Sequence, residues 1–97
     1  MEVRWAERAR DDLREIYRFI SRDSPRAAES QVERILSAAE RLENYPESGR
    51  LLPEFPNLGY REIIVTTYRV IYRAHKDTIW IVGVLHGRRL ISRESLH

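Results

Sequence analysis

The chain has no cysteine, which removes disulfides, thiolate zinc sites and thiol nucleophiles together. Any chemistry rests on oxygen, nitrogen or bound water, and the usage fits a reducing compartment. Long apolar runs are also missing, and the N-terminus starts with Glu2 and Arg4 without a continuous apolar stretch. Neither a membrane span nor a secretory signal is visible, so a cytoplasmic protein is expected. Lysine is almost absent: sixteen of the seventeen basic residues are arginine, the side chain suited to bidentate contact with phosphate or carboxylate. Glycine and proline number four each, and three of the prolines and two of the glycines fall between residues 46 and 59. That stretch reads as an ordered loop. At 97 residues the chain is expected to be one domain, 1–97, with one modest core.

Net charge is only +2, but it is unevenly spread. Residues 1–59 hold ten Lys/Arg against twelve Asp/Glu, and residues 60–97 hold seven against three. The C-terminal part is the electropositive one, and the location of the charge carries more weight than the arginine bias, which a GC-rich genome would also produce.

Ala9, Leu13, Ile16, Tyr17 and Ile20 recur at helical steps with arginines and carboxylates between them, predicting an amphipathic helix from Ala6 to about Arg22. Ser24-Pro25 supplies a cap and a first-turn proline for a second helix. Its stripe is Ala28, Val32, Ile35, Leu36, Ala39 and Leu42, and Tyr45-Pro46 stops it. So short a connection predicts an antiparallel helical hairpin. In the loop that follows, Leu51, Leu52 and Phe55 are expected to pack down. Three strands come next: Tyr60 to Val65, Tyr68 to Ala74 and Thr78 to Leu85, joined by short turns and hence antiparallel. Glu2 to Trp5 is compatible with a brief leading strand. The tail from Leu90 is polar and expected to fray or add a turn. The fold class is α+β, in the order β-α-α-β-β-β, with the helical hairpin on one face of a small antiparallel sheet.

The run Tyr68-Arg69-Val70-Ile71-Tyr72-Arg73 places Arg69, Ile71 and Arg73 on one face of its strand and Tyr68, Val70 and Tyr72 on the other. With helices on one side only, the second face is expected to be open, with Arg61, Arg69 and Arg89 converging there as an anion-holding surface. The alternative is an ordinary solvated strand. Among the histidines, His75 sits in an expected turn and reads as solvated. His86, at a strand end, reads either as a hydrogen-bonding surface or core residue or as a proton carrier. His97 is terminal. Asp11, Asp12 and Glu15 interleave with Arg8, Arg10, Arg14 and Arg18, which favours a charged helix face over a metal site. Gly83 and Gly87 form no phosphate loop. Trp5 and Trp80 read as packing residues, with a stacking role for Trp80 as the alternative. No metal or cofactor is expected.

The pieces Trp5, Ala9 and Leu13 to Tyr17, Pro25 and Ala28, Leu42 to Arg50, Tyr60-Arg61-Glu62, Tyr68 to Arg73 and Val84 to Arg89 together resemble the RelE/ParE superfamily of type II toxin-antitoxin toxins, and more closely its ParE branch, also known as plasmid stabilisation proteins. The RelE branch cuts messenger RNA in the ribosome with basic residues on the open sheet face and a C-terminal tyrosine, whereas the ParE branch poisons DNA gyrase. The resemblance implies that Arg61, Arg69 and Arg89 stand at the basic positions of the RelE branch. It fails at Ile63, which replaces a second basic residue, and at Ser95, which stands where tyrosine is expected.

RNA cleavage needs a proton acceptor and a proton donor as well as cations, and arginine is a poor base. Together with the resemblance, which implies gyrase as the target, this favours a ParE-like toxin that inhibits gyrase and replication. The alternatives are a RelE-like nuclease using Arg61, Arg69, Arg89 and His86, acting on mRNA in the ribosome, and a non-toxic antitoxin-binding protein of the same fold. The implied partner is a ParD-like or similar antitoxin from an adjacent gene. Expected target contacts are Arg61, Arg69, Arg73, Arg88 and Arg89; expected antitoxin contacts are Leu13, Ile16, Tyr17, Ile20, Arg61 and Arg69.

Overall fold

Ser24 caps the second helix as its position before Pro25 predicts: its Oγ accepts from the Ala27 amide at 3.1 Å. In the computed structural model, which describes residues 1–96, this helix is α2 (Pro25–Glu40), prolonged by a 3₁₀ turn at Arg41–Glu43. It follows α1 (Glu7–Ser21), and strands β1 (Glu2–Trp5), β2 (Arg50–Leu51), β3 (Arg61–Val65), β4 (Tyr68–His75) and β5 (Thr78–His86), with a 3₁₀ turn at Arg93–Ser95 in the tail, complete the described elements. His97 lies outside the described residues.

The five strands form one sheet in the order β1-β5-β4-β3-β2. The three long strands are antiparallel neighbours, as their short turns require. The leading strand β1 adds a parallel edge on β5, a pairing that needs a long crossover, which the rest of the chain supplies. Among the described residues, no helix is long and apolar enough to cross a membrane.

Helices and sheet meet in a core of Ala9, Ile16, Ile35, Ala39 and Leu42 against Val70, Tyr72, Ile79, Ile81 and Val84. Tyr72 pairs with Ile81 and Ile71 with Gly83, so Val82 is an extra residue in β5. This bulge turns both Ile81 and Val84 toward the helices while Val82 faces the other way, which strict alternation does not allow.

The second face is not open. Leu52, Tyr60, Ile71, Val82, Ile91 and Leu96 form a second buried cluster there, with Phe55, Leu58, Trp80 and Leu85 packed against it. The loop does pack down through Leu52 and Phe55, whereas Leu51 stays exposed. The tail also packs: Ile91 and Leu96 are buried, and the Tyr60 hydroxyl donates to the Leu96 carbonyl at 3.0 Å. Segments with no regular period cover this face because their scattered leucines and isoleucines have Ile71 and Val82 to bury against.

The loop before β2 is pinned to the helix face. The Tyr72 hydroxyl accepts from the Gly49 amide and donates to the Pro46 carbonyl, each at 2.9 Å. A Cβ at residue 49 would stand 2.6 Å from the Glu62 carbonyl oxygen and 2.7 Å from the Tyr72 hydroxyl. Gly49→Ala is therefore expected to destabilise the protein by about 1–3 kcal/mol through overpacking. Tyr72→Phe, which leaves the Gly49 amide without its partner, is expected to cost about 1–3 kcal/mol. Urea unfolding midpoints measure both.

Candidate functional site

Arg69 stands at the start of β4, the central strand of the sheet, and the two-residue Thr66-Thr67 turn pairs it with Ile64. Diagonally across, on the same face, is Glu62. The Arg69 Nε donates to Glu62 Oε1 at 2.6 Å, and its two terminal nitrogens donate to the carboxylate of Glu54 at 2.7 and 2.6 Å in a fork. Nη1 also donates to the Arg89 carbonyl at 2.9 Å. Glu54 Oε2 accepts in addition from the Ile91 amide at 3.1 Å, and Arg50 reaches the second oxygen of Glu62 at 2.6 Å. The Arg69 side chain is 5% exposed and that of Glu62 is 0% exposed.

This arrangement corrects the expected role of Arg69. It is a buried cation that donates four hydrogen bonds to carboxylates and a carbonyl of its own chain, not a guanidinium displayed on an open face. Hydrogen bonds from Arg69, opposed by burial, hold the Glu54 carboxyl down at about 2, and the same carboxylate raises the already high pKa of Arg69.

The other expected cations do not gather around it. Arg61 pairs with Tyr72 and lies on the helix side of the sheet, the face opposite Arg69. Its Nη1 donates to the Gly49 carbonyl at 2.8 Å, so this half-buried side chain braces the loop. Register is the physical reason: with Val65 opposite Tyr68, the even-numbered residues of β3 share the face of Arg69 and Arg61 does not. Arg73 shares the Arg69 face farther along β4, its guanidinium carbon 5.3 Å from the centre of the Tyr60 ring. Arg88 is exposed in the turn after β5.

The Arg89 side chain and His86 instead line a cleft between α1 and the far end of β4 and β5, with Asp12, Phe19 and Tyr68. The rings of His86 and Tyr68 meet edge to face, centroids 6.0 Å apart. Asp12 accepts the Val84 amide at 3.0 Å on a stretch of β5 that β1 does not reach. Burial raises its carboxyl from the usual range, against the lowering effects of that amide and of Arg8. Among the described residues, no group of three His, Asp or Glu could hold a metal ion.

On the helices, the expected docking residues divide. Ile16 is a core residue at 9% exposure, and Leu13 and Ile20 pack against the same core; Tyr17, at 39%, faces outward. Ile16 is therefore corrected from contact to core, because its position in the stripe points it at the sheet. Tyr17, Leu13 and Val32 floor a shallow groove rimmed by Arg10 and Arg14.

Glu54 and Glu62 are the site residues that reading the sequence missed. The parity that excludes Arg61 also puts Glu62 diagonal to Arg69, so that signal was present. Glu54 lies in an irregular loop and left none.

This architecture, two helices on one side of a mixed five-stranded sheet, is that of the RelE/ParE toxin fold. Residues 3–91 match the family described as ParE toxin of type II toxin-antitoxin system, parDE. The chain is 36% identical over 90 residues to "Toxin RelE2" of Caulobacter vibrioides, covering 92% of this chain and 98% of that one. Y4kP of Sinorhizobium fredii is 35% identical over 91 residues, covering 90% and 88%. Among solved structures, one from the chromosomal ParDE toxin-antitoxin system of P. aeruginosa superposes with a TM-score of 0.76 at 21% identity, covering 89% of this chain and 95% of that one. The chain belongs to the ParE toxin family, within the RelE/ParE superfamily of type II toxin-antitoxin toxins.

The folded Glu54 carboxyl stays ionised down to about pH 2, whereas an unfolded glutamate titrates near 4.5. Its stabilising contribution, on the order of 3 kcal/mol, is complete above about pH 5 and is lost as pH falls toward 2. Glu54→Gln is expected to flatten the acid limb of stability against pH, measured by denaturant unfolding. Arg69→Ala, which leaves Glu54 without its cation and the buried Glu62 with Arg50 alone, is expected to cost about 3–5 kcal/mol. Any loss of toxicity in that variant then follows from misfolding and is read beside its melting curve.

Proposed function

We propose that this toxin acts by binding, with DNA gyrase as its target, and is neutralised by a small antitoxin from an adjacent gene. The observation that carries the reading is the pairing of the buried Arg69 with Glu54 and Glu62. A pentavalent phosphate needs several cations converging on one point. Here one is internally neutralised, Arg61 lies across the sheet, and Arg89 is in a cleft beside α1. Arg73, Arg88 and Arg89 are left as outward cations for a macromolecular partner. The gyrase assignment rests on the family and on the ParE-like pattern from Tyr68 to Arg89. For the antitoxin, the groove floored by Tyr17, Leu13 and Val32 and rimmed by Arg10 and Arg14 fits an apolar segment with acidic flanks.

One observation favours a second reading, a ribosome-dependent nuclease: His86 shares its cleft with Arg89, Tyr68 and Asp12, which keeps a proton carrier beside a cation. The 36% identical relative bears a RelE name. Two assays on purified protein separate the readings. Inhibition of gyrase supercoiling with intact transcripts on programmed ribosomes is the expected result. Position-specific transcript cleavage that His86→Ala abolishes, with normal supercoiling, would overturn it.

A further inference from the structure

Three adjacent strands put a row of side chains on the second face that neither the Arg69 cluster nor the α1 cleft uses. Arg4 of β1 is the register partner of Trp80 in β5, and Trp80 is the partner of Arg73 in β4. Register partners share a face and neighbouring strands lie about 4.8 Å apart, so one indole is flanked on both sides by arginine arms. Tyr60, beneath the Arg73 guanidinium, adds a second aromatic ring. The next row is Glu2, Thr78 and His75. Tyr60, Arg73, His75, Trp80 and Val82 line an open hollow of about 430 Å³. Arg73 and His75 are exposed and Trp80 is half-buried.

We propose that this row is a binding site for single-stranded nucleic acid, a base lying on Trp80 and the phosphates on either side held by Arg4 and Arg73. Aromatic faces stack on any base and guanidinium groups follow the backbone charge, a pairing of chemistries that single strands satisfy together. An acidic peptide would satisfy the arginines and leave the indole without a planar partner. The carboxylate in these rows is that of Glu2, which pairs with Arg4 at 3.0 Å. Both side chains are more than half exposed, so a phosphate displaces Glu2 at little cost. The site goes beyond the proposed function and holds for either target.

The test is fluorescence anisotropy of a short labelled oligothymidylate titrated with the full chain at several salt concentrations. Trp80→Ala is expected to weaken binding about tenfold or more, with Trp80→Phe retaining most of it. Arg4→Ala and Arg73→Ala are each expected to weaken binding and to lower the slope of log K against log salt by about 0.7, and Glu2→Gln to tighten it. Trp80 packs against the second core, so circular dichroism melts accompany each variant; if Trp80→Ala does not fold, the exposed Arg4 and Arg73 carry the test. The proposal fails if the parent chain does not bind the oligonucleotide, or if Arg4→Ala and Arg73→Ala bind it as the parent does. It fails equally if an oligoglutamate peptide binds as tightly through the same arginines without Trp80, which would mark an acidic-protein surface. Normal supercoiling alongside intact oligonucleotide binding would overturn the gyrase reading and leave this site standing.

Discussion

A guanidinium group removed from water needs carboxylates around it, and Arg69 obtains them from two separate parts of the chain. Glu62 comes from the neighbouring strand and Glu54 from the loop before it, while the Arg89 carbonyl and the Ile91 amide bring in the C-terminal segment. Leaving such an ion unpaired in the interior costs several kcal/mol, so the pieces come together or the sheet cannot bury Arg69 at all. Around this cluster Leu52, Ile91 and Leu96 close over Ile71 and Val82. The second face thereby becomes a second core, built by segments without helix or strand of any length.

The functional consequence lies in where positive charge remains available. A toxin of this superfamily can act through a phosphate-holding cluster or through an extended contact surface, and the fold accommodates both. In this chain the central arginine is already neutralised, and the others are dispersed over two faces and one end of the sheet.

Particular residues show how far the chain could be read in advance. Ser24-Pro25 and the stripe through Ala9, Leu13, Ile16 and Ile20 identify the helical hairpin because capping and a 3.6-residue period are local properties. Four of the five strands are legible for the same reason, to within a residue at their ends, whereas the two-residue β2 lies in the stretch that reads as loop. Arg61 and Arg69 lie on opposite faces, against the expected convergence, because the two-residue turn decides the parity of β3. The bulge at Val82 had no counterpart in the pattern, since an unbroken apolar run hides a change of face.

By itself the sequence determined the order of the helices and the longer strands, the helical hairpin, the superfamily and the electropositive character of the C-terminal part, all of which depend on neighbours in the chain or on composition. Only the tertiary structure decided which arginines are free. Pairing between Glu54 and Arg69, and the row of Arg4, Trp80 and Arg73, join residues remote in sequence, and their meeting depends on loop path and strand register. Ion pairing and burial act over a few ångströms of space, and no spacing along the chain encodes that distance.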